Sequence, residues 1–271
     1  MVIDFHTHIF PEKIAAGTIE VLKGNIRKLH PDEDPQSYTE ATLDSLKESM
    51  RKNGIAKAVV MPIATTVRQS KTINNYAAQV NADADVYSFG SVHPLQENLE
   101  EEMERLATLG LPGIKLHPEY QQFYVDSPEG IRVLKKAAQL GLYVMYHTGR
   151  DVGVQPPVHC MPQNLARALD AVPDAKVIGA HMGGWMVWED VETYLCGRPI
   201  YFDTSYSLHL MSNEQFLRIL EKHGVDWILF GTDSPWGDQG EGVAALENAG
   251  IGRDALEKIL WKNGAHILGI E

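Results

Sequence analysis

Eight short, β-rich apolar runs recur along the chain, and their spacing constrains its fold more than any other feature. They are VIDFH from Val2, AKAVVMP from Ala56, DVYSFGSVHP from Asp85, GIKLHP from Gly113, LYVMYHTG from Leu142, KVIGAH from Lys176, IYFDTS from Ile200 and WILFGTDSP from Trp227. From the second run to the eighth, successive starts are 29, 28, 29, 34, 24 and 27 residues apart, and the first step is 54. The segments between them carry helical spacing and helical punctuation. Ser127 and Pro128 suit an N-cap and a first helical position, Leu134 and Ala138 lie one turn apart, and Gly141 can close the helix. Ala41 to Gly54 repeats the pattern with Leu43, Leu46 and Met50 as its apolar face. Ser212 and Gln215 have capping-box spacing ahead of a Phe216, Ile219, Leu220 stripe that ends at Gly224. Alternation of strand and helix implies parallel pairing. Eight such units over about 250 residues predict an α/β fold, a (β/α)8 TIM barrel. An open doubly wound sheet competes, but no Gly-rich fingerprint follows the first strand. No linker interrupts the pattern, so residues 1–271 read as a single domain. The long first step is expected to hold a helix and loop at 10–36, lying over the barrel mouth.

Composition narrows the function classes. The chain is 44% hydrophobic and 22% charged, as soluble globular proteins are. No run is long and apolar enough to cross a bilayer, and a first strand at Val2 leaves no room for a signal peptide ahead of it. The two cysteines, Cys160 and Cys196, lack CxxC spacing, which fits a reducing cytoplasm. A net charge of −12 without a basic block argues against nucleic acid and anionic membrane as partners. A small-molecule substrate is the expected partner, with a homodimer as the default assembly.

The polar residues then fall where a barrel places its chemistry, at the C-terminal strand ends. His6 and His8 end the first run, Lys115 and His117 the fourth, His147 the fifth, His181 the sixth and Asp233 the eighth, while His93 ends the third. Side-chain alternation puts His6 and His8 on one side of their strand, about 6–7 Å apart along the backbone. His30, His209, His223 and His266 fall in helices or loops and read as solvated. A lone strand-end histidine is most often a hydrogen-bonded, half-buried side chain. The joint placement of His6, His8, His147, His181 and Asp233 on four strands points instead to one site. Imidazole nitrogen and carboxylate oxygen suit a borderline divalent ion such as Zn²⁺, at about 2.0–2.2 Å. With one coordination position open, such an ion activates a water for attack. No GxSxG elbow or GxxxxGK[ST] loop competes, and neither cysteine lies at a strand end.

The HTH of the first run, the HTG that ends Tyr146–Gly149 (YHTG), AHMGG at Ala180–Gly184 and GTDSPW at Gly231–Trp236 resemble the amidohydrolase superfamily. The closer likeness is to its amidohydrolase 2 branch, related to aminocarboxymuconate-semialdehyde decarboxylase, and it extends to the WKNGAHILGI tail. The resemblance implies a barrel enzyme with one Zn²⁺ or another divalent first-row metal. It assigns His6, His8, His147 and Asp233 to the metal, and His181 to orienting the attacking water or to a further ligand position. Other superfamily branches carry a carboxylated lysine on the fourth strand that bridges two metals, and Lys115 has the strand and parity for it. Lys115 is otherwise a cation for a substrate carboxylate or carbonyl, or a salt-bridge partner of Asp4 inside the barrel. His117 is placed to touch substrate, Arg150 to clamp a carboxylate, and Trp185 and Trp236 to wall the pocket.

These readings lead to a metal-dependent hydrolase acting on a small carbonyl-type substrate (an amide, lactone or ester). Asp233 serves as proton carrier and His181 orients the water or stabilises the oxyanion. The alternative is a metal-dependent non-oxidative decarboxylase of a small carboxylic acid, with Lys115 or Arg150 gripping the carboxylate. A non-catalytic metal-binding barrel is the third possibility. Substrate choice is expected from the loops Phe10–Gln36, Glu119–Asp126 and Asp151–Pro162, where Tyr120, Phe123 and Tyr124 suggest an aromatic wall or a dimer contact.

Overall fold

The computed structural model describes residues 1–270. Its eight parallel strands are β1 (Ile3–Thr7), β2 (Lys57–Val60), β3 (Val86–Ser88), β4 (Gly113–Leu116), β5 (Tyr143–Tyr146), β6 (Lys176–Gly179), β7 (Tyr201–Asp203) and β8 (Ile228–Leu229). β1 to β3 pair in order, and so do β4 to β8. Two seams close the ring. Gly90 N donates to Gly113 O (2.9 Å) and Lys115 N to Gly90 O (2.8 Å) on one side, and Phe5 N donates to Phe230 O (2.8 Å) on the other. The fold is thus the (β/α)8 barrel that the strand spacing predicts.

The helix punctuation forms largely as read. Ser127 Oγ accepts from Gly130 N (3.2 Å), Pro128 opens the helix Pro128–Leu140, and Gly141 ends it at φ 70°. A full capping box forms at Thr42 and Ser45. At Ser212 only half of one forms, because Gln215 turns outward and donates to Glu192. The 10–36 segment contains the helix Glu12–Leu29, and Leu22, Ile26 and residues 33–36 face the cavity at the mouth.

Two apolar clusters hold the ring. Outward-facing strand residues pack against the helices. Ile3, Phe5, Val59, Met61, Phe89, Met145, Ile178 and Leu229 fill the lumen, and Ala265 and Ile267 of the C-terminal helix Asn263–Leu268 plug its lower end. A filled lumen leaves the upper end as the place where polar groups gather.

β1 does not alternate cleanly. Its register against β2 shifts between Asp4 and Thr7. Ile3 and Phe5 point into the lumen, yet His6 also faces the cavity above it. Such a bulge re-aims side chains. The salt bridge between Lys115 and Asp4 is therefore not made. Asp4 accepts instead from Thr232 N (3.0 Å), Thr232 Oγ1 (2.6 Å), Gln239 Nε2 (2.8 Å) and His6 N (3.3 Å). This ties β1 to the segment after β8.

Candidate metal centre and substrate cavity

A cavity of about 640 Å³ opens at the C-terminal strand ends. His6, His8, Lys115, His117, His147, His181, Trp185, Asp233 and Trp236 all line it. Arg150 does not. Its side chain is exposed, and what it offers the site is its backbone carbonyl, 2.9 Å from His147 Nε2.

Local backbone geometry positions these groups. His181, Met182 and Gly183 take left-handed φ values of 59°, 54° and 81°, and Asp233 takes 66°. Such conformations cost about 1–3 kcal/mol each in non-glycine residues and persist only where surroundings enforce them. Here Asp203 Oδ1 accepts from His181 N (2.9 Å), Trp188 Nε1 donates to His181 O (3.0 Å), and Asp233 N donates to His6 O (2.9 Å). Gly183 is required because a Cβ there would lie 2.7 Å from the Phe202 ring.

The tautomers follow from the partners. His8 Nδ1 lies 2.8 Å from Met61 O, and a carbonyl only accepts, so Nδ1 carries the proton and Nε2 a lone pair. His8 Nε2 faces Asp233 Oδ1 at 3.1 Å, and His6 Nε2 faces the same oxygen at 3.5 Å. His147 Nε2 faces the Arg150 carbonyl (2.9 Å) and His181 Nδ1 the Ser205 carbonyl (3.0 Å), so both of these nitrogens carry protons. The remaining pair, His147 Nδ1 and His181 Nε2, then present lone pairs to each other 3.0 Å apart. Facing lone pairs repel unless one ring takes up a second proton or both nitrogens bind a cation. The rings are contiguous, with centroids 5.1 Å apart for His6 and His8, 5.3 Å for His6 and His181, and 4.7 Å for His147 and His181. Four imidazoles and one carboxylate with lone pairs to spare are a donor set that fits a divalent metal ion.

His117, His147 and Asp151 form a second group close enough to hold an ion. Their hydrogen bonds oppose it. His117 Nδ1 accepts from Tyr120 N (3.4 Å) and its Nε2 faces Asp151 Oδ2 (3.2 Å), so Nε2 is protonated. His147 Nε2 is protonated as well. His117 is also sandwiched between Tyr120 and His147, with centroids 4.0 Å away on each side. Its ring faces and both nitrogens are taken, so it acts as a pillar for Asp151 rather than as a substrate donor, which corrects the reading of His117 as a substrate contact.

Lys115 is 1% exposed, with Nζ 3.1 Å from His6 Nε2. Burial pushes its pKa down to about 8 against the pull of Asp203 and Asp233. Burial and the nearby Lys115 push that of His6 down to about 4, although Asp203 and Asp233 oppose them. Lys115 is the one lysine on the cavity wall, where no arginine stands among the described residues. Tyr120 joins Phe10, Tyr38, Trp185, Tyr206 and Trp236 on the walls, whereas Phe123 is buried in the core and Tyr124 leans on His159. The Trp185 indole N–H has no partner within the protein.

Asp151, Asp203 and Ser205 were not singled out in the sequence. Asp203 ends β7 within the IYFDTS run, so strand-end position was the available signal. Nothing local marks Asp151, which is aimed by the loop that carries it. His209, read as solvated, is exposed, and it stands at the edge of the cavity. No helix among the described residues is long and apolar enough to cross a membrane.

Comparisons with known proteins agree with this architecture. The sequence matches the family described as amidohydrolase over residues 3–270. A search of curated proteins finds no match. Among solved structures, an uncharacterized TIM-barrel protein from Bordetella bronchiseptica is 21% identical, with TM-score 0.75 and 99% and 98% of the two chains covered. The 5-carboxyvanillate decarboxylase of Sphingomonas paucimobilis is 17% identical, with TM-score 0.72 and 100% and 99% covered. The 5-carboxyvanillate decarboxylase of Novosphingobium aromaticivorans, solved with bound manganese, is 14% identical, with TM-score 0.75 and 100% and 97% covered. On the match that spans nearly its whole length, the chain belongs to the amidohydrolase family, in the amidohydrolase 2 branch that its HTH, HTG, AHMGG and GTDSPW motifs suggested.

Proposed function

We propose that this protein is a metal-dependent, non-oxidative decarboxylase of a small aromatic or conjugated carboxylic acid. The observation that carries the reading is the placement of Lys115. It is a buried cation on the cavity wall, beside the metal-donor set and among flat aromatic walls. A substrate carboxylate is the natural partner for such an ammonium group. Two of the similar folds described above belong to decarboxylases of an aromatic acid, which supports the same choice.

In this reading His6, His8, His147, His181 and Asp233 hold one divalent ion, with zinc or manganese the candidates. When bound, the ion supplies Lewis acidity toward the substrate's oxygens. Lys115 Nζ grips the carboxylate. Trp185 and Trp236 flank the ring plane and exclude water. Asp233, ionised at rest because, against the push of burial, His8, His6 and His181 hold its carboxyl well below the usual range, takes up a proton from solvent and delivers it to the ring carbon that bears the carboxylate. The carbon–carboxylate bond then breaks, its electron pair returns to the ring, CO2 leaves, and Asp233 is ionised again.

Hydrolysis at the same centre is the second reading. The cavity charge favours it, since Glu33, Asp34, Asp151, Asp233, Asp238 and Glu241 line the walls against a single lysine. The test is to load the protein with Zn²⁺ or Mn²⁺ and assay a panel of hydroxybenzoates for CO2 release, beside a panel of lactones, esters and amides in ¹⁸O-water. CO2 release with no solvent oxygen in the product supports decarboxylation. Solvent oxygen in the product, with no CO2, overturns it in favour of hydrolysis.

A further inference from the structure

We propose that Asp203, at the end of β7, is a positioning residue that sets the tautomer of His6 and, through Ser205, links it to His181. The proposal rests on the reading that a divalent ion occupies the His6, His8 and Asp233 cluster. Asp203 is fully buried. Its Oδ2 accepts from His6 Nδ1 at 2.8 Å. Its Oδ1 accepts from His181 N (2.9 Å), from Ser205 N (3.0 Å) and from the Ser205 hydroxyl. With its proton given to Asp203, Ser205 Oγ offers lone pairs to the Nδ1 atoms of both His6 and His181, each 3.0 Å away. One carboxylate at the end of β7 and one hydroxyl just beyond it thus face the Nδ1 atoms of two imidazoles, His6 in β1 and His181 just after β6.

The consequence for His6 is specific. A neutral imidazole protonated on Nδ1 keeps its lone pair on Nε2. Nε2 is the nitrogen 3.5 Å from Asp233 Oδ1 and 3.1 Å from Lys115 Nζ. An asparagine at 203 reverses this. Its amide has one accepting and one donating end. The His181 and Ser205 backbone N–H groups cannot change role, so the amide oxygen must face them. The amide NH2 then faces His6 Nδ1, which becomes the acceptor. The ring proton moves to Nε2, which removes the lone pair that points at the metal cluster and obliges Lys115 Nζ, 3.1 Å away, to turn aside or give up a proton. The substitution is nearly isosteric; it reverses one hydrogen bond and removes a buried negative charge that acts on His6 and Lys115, and the ring-nitrogen readout reports the first of these directly.

The test compares full-length wild type with Asp203→Asn. Long-range ¹H–¹⁵N histidine ring correlations, assigned to His6 by its loss in His6→Gln, report the protonated nitrogen before and after Zn²⁺ addition. Competition with a chromophoric chelator reports Zn²⁺ affinity. The expected result is an Nδ1-protonated His6 in wild type, an Nε2-protonated His6 in the zinc-free variant, and Zn²⁺ binding weakened about 10- to 100-fold. Ser205→Ala keeps the Asp203 carboxylate and should leave His6 protonated on Nδ1. An Nε2-protonated His6 in zinc-free wild type overturns the proposal even if the variant does not fold. So does a variant that binds Zn²⁺ as tightly as wild type. If wild type fails to bind Zn²⁺ while the His6 tautomer shifts as described, the metal reading falls and control by Asp203 stands.

Discussion

Replacing His223 by phenylalanine should destabilise the protein strongly at pH 7.5 and much less at pH 5.0. His223 ends the helix Asn213–His223 and is 5% exposed, although its helical position read as solvated. Its ring stacks on Phe202 with centroids 3.9 Å apart at 10°. Nε2 donates to Ile200 O (2.8 Å) and Nδ1 accepts from Gly197 N (3.1 Å). Only the neutral ring satisfies both, because an imidazolium would set a second N–H against that of Gly197. Burial accordingly pushes the His223 pKa from 6.5 down to about 4, with the Ile200 bond opposing part of the shift. Between these values the unfolded chain takes up a proton that the folded chain refuses. The contribution is therefore fully present above pH 6.5 and is lost as pH falls through about 4. Linkage between the two values makes the loss from pH 7.5 to pH 5.0 about 2 kcal/mol. His223→Phe keeps the stack but leaves the Ile200 carbonyl and Gly197 N–H unpaired, at about 1–3 kcal/mol each, and it does not titrate. The stability gap between wild type and variant, measured by urea unfolding, should narrow by about 2 kcal/mol at the lower pH. A gap that stays constant or widens would refute the argument that His223 is held neutral.

Three further outcomes follow from the site. Gly149→Ala should cost about 2–4 kcal/mol, because φ is +80° and a Cβ would lie 2.4 Å from Trp185 N and 2.5 Å from Trp185 O, backbone atoms that cannot swing away; an unchanged melting temperature would show that this approach is not tight. Lys115→Met should raise KM for a carboxylate substrate about 10- to 100-fold, the equivalent of one charge-assisted hydrogen bond, while metal content measured by elemental analysis stays the same; an unaltered KM removes Lys115 from carboxylate recognition. Asp233→Asn should abolish turnover yet retain some metal, as the histidines remain; an active variant would show that Asp233 does not move the proton.

The histidines were legible in the sequence because strand ends are. A parallel strand that stops at a barrel mouth puts its last polar side chain in a predictable place, and the HxH spacing needs only the pleat. The same rule reached Lys115, His147, His181 and Asp233. It also pointed to His117, yet stacking and hydrogen bonding leave that ring nothing to offer a substrate. Arg150 failed for a different reason. The residue after a strand-end motif turns with its loop, and this loop sends the side chain to solvent and the next one, Asp151, into the cavity.

By itself, the sequence determined the eightfold strand–helix alternation, the helix caps and the set of strand-end donors. All of these depend on near neighbours: apolar period, capping residues, and side-chain parity within one strand. Tertiary structure decided the bulge in β1, which lets Phe5 fill the lumen while His6 still reaches the cavity. It also decided the burial of His223 against Phe202, and the protonated nitrogen of each imidazole. Those outcomes depend on partners far away in the chain, such as Asp203 for His6 and Met61 for His8. A hydrogen bond across the barrel exists only once the barrel has closed.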